Sequence, residues 1–150
     1  MKSDTITLLD SMFVESSIMR AKDVPSVDEV DAASLQIGVP FPSDYRGFIL
    51  RYGGAIVGVY PIFGLRSCEV MEDDRWSVVT ITYDYRDDLR SAGVDCATEW
   101  VVFSEDHSGN PVGMDRDGKV WIYDHDFDGL TELASSFEEY TRTHCLKLSM

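Results

Sequence analysis

VPFPSDYRGFILRYGGA, residues 39–55, packs two prolines, an apolar helical stripe and a double glycine into one short stretch, and its reading decides the fold. Pro42 fixes the approach of the chain, Ser43 is the expected N-cap, and Asp44 lies beside the positive end of a helix. Tyr45, Phe48, Ile49 and Tyr52 recur at i, i+3, i+4 and i+7, which predicts a short amphipathic helix with one buried face. Gly53 then offers a left-handed C-cap, and Gly54 lets the chain turn closely into the β-rich AIVGVYPIFGL of residues 55–65. The stretch is a helix-to-sheet corner. A phosphate loop is the competing reading of the glycines, but no GxxxxGK[ST] occurs and Gly53 follows a helix instead of opening one. Gly58 and Gly64, with Pro61 between them, mark bends in strands.

Upstream of the corner, Asp4 is the expected cap of a first helix reaching about Met19, with Ile6, Leu9 and Phe13 on one face. Ala21–Pro25 breaks it. Ser26 and Glu29 stand at capping-box spacing and start a second helix toward Leu35, ended near Gly38 by Pro40. Downstream, residues 76–90 (WSVVTITYDYRDDLR) carry both strand-like composition and a helical stripe of Val79, Tyr83 and Arg86, so periodicity leaves helix and strand open there. WVVFS (100–104), PVGMD (111–115) and the KVWIYD beginning at Lys119 read as strands of an antiparallel meander, divided by the turn-rich EDHSGN and RDG. Leu130, Leu133, Ala134, Phe137 and Tyr140 outline a final amphipathic helix over one sheet face.

The chain has 150 residues, 44% hydrophobic and 27% charged, the profile of one globular domain over 1–150. MKSDTITLLDSMF lacks the features of a signal peptide, and no run approaches the ~20 apolar residues of a spanning helix. Three cysteines without CxxC spacing suggest neither a disulfide framework nor a zinc site. The expectation is a soluble, cytoplasmic protein. Acidic residues number 27 against 13 basic ones, a net charge of −14. Such a field repels phosphate backbones and disfavours nucleic acid, whereas it draws in a basic protein partner, although acidity also serves plain solubility.

Three groups of residues have the chemistry for a site. DHDFDG, residues 124–129, matches the opening of a calcium loop, but the closing glutamate position is Ser135 and a strand precedes the motif, so a solvated acidic turn is preferred and neither metal nor cofactor is expected. His107, His125 and His144 lie by turns or the chain end without any accompanying catalytic signature, and no catalytic residue is assigned. Trp100 and Trp121 fall at or in strands and read as core or half-buried packing, while Trp76 is an alternative binding anchor. The loop with Glu105, Asp106, His107 and Asn110 has no apolar pattern, and loops carry recognition disproportionately. These four, with Asp124, His125 and Asp126, are therefore the candidate partner-binding face, with Arg66 and the acidic run at 72–74 as its rim.

IGVPFPSDYRGFILRYGGA, YPIFGLRS, SGNPVGMDRDGKVWIYDHD and ASSFEEYTR, in that order, resemble the SUKH superfamily (Smi1/Knr4-like) from about Ser26 to Tyr140. The resemblance implies an α+β domain, a twisted, mainly antiparallel sheet with helices packed around it, with Pro42, Tyr45, Gly53, Gly54 and Phe137 in structural roles. Bacterial members of that superfamily are immunity proteins that bind and neutralise a cognate toxin domain, often a nuclease, without catalysis. A monomeric antidote for a basic toxin is the expected function. A regulatory or scaffold module for another protein is the alternative, and a small metal-dependent enzyme built on DHDFDG is a third reading.

Overall fold

The computed structural model describes residues 1–71, 75–127 and 129–148. Helix α1 (Ser3–Glu15) leads through a 3₁₀ turn, Ser17–Met19, to α2 (Val27–Ile37) and α3 (Ser43–Tyr52). A hairpin of β1 (Ala55–Val57) and β2 (Tyr60–Ile62) follows, then α4 (Val78–Ser91) and a second 3₁₀ turn, Asp95–Glu99. Strands β3 (Val101–Glu105), β4 (Pro111–Met114), β5 (Val120–Asp124) and β6 (Gly129–Ala134) form one antiparallel sheet in that order. A short α5 (Phe137–Glu139) runs on into a π-helical segment, Tyr140–Cys145. This is the expected α+β arrangement with antiparallel sheets.

The corner at 39–55 forms as its residues dictate. Tyr45, Phe48, Ile49 and Tyr52 are all fully buried, and burying Phe48 and Ile49 stabilises the fold by about 2 kcal/mol each. Gly53 takes φ 79°, and its carbonyl accepts from Leu65 N (2.8 Å) and Arg66 N (3.1 Å), while Ala21 N donates to the Gly54 carbonyl (2.9 Å). A Cβ on Gly54 would overlap the Arg66 carbonyl oxygen, so the double glycine is a requirement of close backbone approach. The Tyr45 hydroxyl donates to the Phe63 carbonyl at 2.6 Å, and Phe137 packs on Tyr45, Phe48 and Phe103 at centroid distances of 5.2–5.3 Å. Helix α3, strand β3 and the C-terminal segment thereby share one core.

Several local expectations are corrected, and others are met or decided. Pro42, not Ser43, holds the N-cap of α3, and Ser43 is its first helical residue. Asp44 does more than favour the helix end: its Oδ1 accepts from Tyr45 N at 2.8 Å, and its Oδ2 accepts from Glu138 N at 2.9 Å, tying α3 to the start of α5. Asp4 sits inside the first turn of α1 behind Lys2, and α1 stops at Glu15. Ser26 and Glu29 make the full capping box. Residues 78–91 are helix, because Val78, Ile81, Thr82 and Leu89 then share one buried stripe. Residues 129–134 are a strand, not the beginning of the last helix. Leu130 and Leu133 have helical spacing, but pairing with β5 (Tyr123 opposite Leu130, Ile122 opposite Thr131) makes the segment a ladder, with Leu133 as its extra, unpaired residue. The helix starts only where Ser136 accepts from Glu139 N.

Candidate partner-binding face

The β3–β4 turn is built on a single carboxylate. Asp106 Oδ1 accepts from Ser108 N (2.9 Å) and Asn110 N (2.8 Å), and Oδ2 accepts from the Asn110 side-chain amide (2.9 Å). Partial burial pushes the Asp106 carboxyl upward, but the bonds from Asn110 and Ser108 outweigh it and hold its pKa below the ordinary value. The Asn110 side-chain oxygen then accepts from His125 N at 3.0 Å and contacts the His125 ring at Nδ1. Asn110 is 2% exposed, so it joins the 106–110 turn to the 124–127 turn and offers nothing to a partner itself. At the second turn Asp124 Oδ1 accepts from Asp126 N (3.0 Å), and His125 Nε2 lies 3.4 Å from Asp126 Oδ1. The two segments singled out in the sequence are thus brought together, with His107, His125 and Asp126 exposed and Asp124 half-buried.

Glu105 is committed inward. Its Oε2 accepts from Arg75 Nη2 (2.7 Å) and from the Tyr85 hydroxyl (2.6 Å), which also approaches the Gly109 carbonyl (2.9 Å). Burial and then the Glu105 carboxylate raise the Tyr85 pKa well above its ordinary value, so the phenol stays a donor. Arg66, expected at the rim, binds Asp23 (2.8 Å) and Glu29 (2.8 Å) beside the glycine corner. The acidic run at 72–74, the other expected rim, lies outside the described residues.

The loop borders a cleft of about 450 Å³ that sequence reasoning missed. Ile56, Pro61 and Phe63 line it from the β1–β2 hairpin, Val70 and Met71 from the following loop, and Arg75, Asp106 and His107 supply polar groups. His107 stacks on Tyr60 (5.4 Å, 27° between planes), whose other neighbours are His144 (4.9 Å) and Lys147 Nζ (5.5 Å). Val59, in the β1–β2 turn, and Val70 are exposed beside this cleft, and no local pattern in the sequence singles them out. Among the described residues, no group of three or more His, Cys, Asp or Glu side chains is placed to hold a metal ion. Of the tryptophans, Trp100 is buried against Gly113, and Trp121 is half-buried with its indole N–H donating to Asp115 (2.9 Å).

The α+β domain thus presents two joined acidic turns beside a cleft of mixed polar and apolar lining. The chain belongs to the SMI1/KNR4 family (SUKH-1), whose family model matches residues 25–143. A comparison with curated proteins gives no match. Among the described residues, no helix is long and apolar enough to cross a membrane.

Proposed function

We propose that this chain is an immunity-type protein that binds and neutralises a cognate toxin domain, acting as a single cytoplasmic domain without catalysis. The observation that carries this reading is the Asn110 bridge, which holds two acidic turns as one face beside a cleft of mixed polar and apolar lining. Family membership supports a protein-binding role. The net charge of −14 supports a basic partner, such as a domain whose own ligand is a nucleic-acid backbone. In this reading Asp124, His125, Asp126 and His107 meet the partner, whereas Glu105, Asp106 and Asn110 hold the face in shape. A preorganised face reduces the ordering cost of association.

The test is a pull-down from the native cell extract with this chain as bait, at low and moderate salt, repeated with Asp124→Lys/Asp126→Lys. Retention of a polypeptide with a basic toxin domain, released by salt and lost with the double variant, is the expected result. Retention of regulators alone would transfer the face to the regulatory-module reading.

A further inference from the structure

The four-stranded sheet has two unlike edges. At β3 the outer edge is closed: Thr82 of α4 accepts from Val102 N (3.0 Å) and donates to its carbonyl (3.4 Å), and Phe63 N donates to the Phe103 carbonyl (2.7 Å). At the other end, β6 pairs with β5 alone, and among the described residues no hydrogen bond from another element reaches its outer side. Leu130, Thr131 and Glu132 are exposed. Folded proteins protect such an edge with lysine, proline, a bulge or a cover. GLTELA contains neither lysine nor proline; the ladder carries one extra β6 residue, Leu133, opposite Val120–Trp121, which leaves Gly129–Glu132 in regular register as the open part of the edge.

A groove of about 370 Å³ lies beside this edge, lined by Ala92, Val94, Cys96, Tyr123 and Leu130. Tyr123 and Leu130 are directly paired, so both project from the same sheet face. A strand added beyond β6 would place every second side chain along that face, next to the groove. The surrounding charge is largely negative, with Asp95 in the groove wall, Asp124 and Asp126 at the turn, and Glu132 on the strand, where Lys119, just before β5, lies 3.7 Å from it. Pairing with a second copy would bring two chains of net charge −14 together, which the same electrostatics oppose.

We infer that β6 is a docking edge for an extended, positively charged segment of a partner protein, which joins the sheet as a fifth strand with alternate apolar side chains over the groove. The inference rests on the proposed function for one thing, the basic protein partner. Main-chain bonds supply the affinity and the groove and carboxylates the sequence preference.

The test is amide hydrogen exchange of the full chain with an alternating Val-Lys peptide of about nine residues, its Val-Glu counterpart, and the Val-Lys peptide N-methylated at every second residue. The Val-Lys peptide is expected to slow exchange across 129–134 by about tenfold or more, with neither control doing so. Thr131→Lys, on an exposed side chain, is expected to abolish the effect at unchanged Tm. Equal protection by the N-methylated peptide, or none by any, would overturn the inference, as would protection that rises with protein concentration in the absence of peptide. If the pull-down retains no toxin while the Val-Lys peptide protects β6, the toxin reading falls and the edge stands. The reverse result removes the edge alone.

Discussion

Asn110 accepts the backbone N–H of His125 at 3.0 Å while its own amide nitrogen donates to Asp106 at 2.9 Å, so one buried side chain couples two turns of the acidic face. Asn110→Ala leaves His125 N–H and an Asp106 oxygen without their partner and is expected to lower stability by about 1–3 kcal/mol. Asn110→Asp, which sets a second carboxylate against Asp106, is expected to cost at least as much. Urea unfolding reads both, and the two outcomes separate loss of a bond from added repulsion.

Asp106 also gives the face a pH dependence. Its folded pKa lies below the unfolded value of about 3.9. Its contribution is therefore fully present above the unfolded value and is lost as pH falls through the folded one. Native-state exchange at Ser108 and Asn110 N–H is expected to accelerate below about pH 4 relative to the rest of β3–β4. In Asp106→Asn that extra acid step is expected to vanish.

Two glycines ten residues or fewer apart should respond with opposite sign. Gly54→Ala pushes a methyl into the Arg66 carbonyl and is expected to destabilise by about 2 kcal/mol or more, or to prevent folding. Gly47 lies within α3 with open space around it, and Gly47→Ala is expected to stabilise by about 0.5–1 kcal/mol. Thermal melts of the two variants decide the matter, and a neutral Gly54→Ala would refute the close approach at the corner.

Arg86 bonds only carbonyls among its described partners, Ile37 O at 2.8 Å and Trp100 O at 3.2 Å, with Tyr83 (to Gln36 O) and Arg116 (to Gly38 O) beside it at the C-terminus of α2. Burial, ahead of the neighbouring charges, lowers its pKa, and the cation faces the negative end of the helix. Arg86→Met keeps the apolar stem but strands both carbonyls. It is expected to cost about 1–3 kcal/mol in chemical denaturation, with little screening by salt.

Much of the fold was legible because it rests on local rules. The i, i+3, i+4, i+7 stripe of Tyr45–Tyr52, the Ser26/Glu29 box and the three meander strands each follow from residues within one or two turns of chain. Trp100 and Trp121 were likewise legible as packing. Local rules mislead, or leave a choice open, where the deciding partner strand is remote or a cap competes with its neighbours. Leu130 and Leu133 keep the spacing of a helical stripe, and only pairing with β5 makes their segment a strand; the 76–90 segment, open between helix and strand, becomes α4 from Val78 onward because β3 gives it a face to lie along.

The sequence alone determined the helix-to-sheet corner, the family resemblance and the acidic character, since composition and short-range spacing carry them. The tertiary structure decided which acidic residues are free. Glu105 turns to Arg75 and Tyr85, Asp106 is spent on its own turn, and Asn110 is buried between two loops fifteen residues apart, while the cleft of Ile56, Pro61 and Phe63 and the open edge at β6 exist only once distant strands have paired. Hydrogen-bond partners and sheet edges are properties of contacts between remote segments, and no local pattern encodes which remote group arrives.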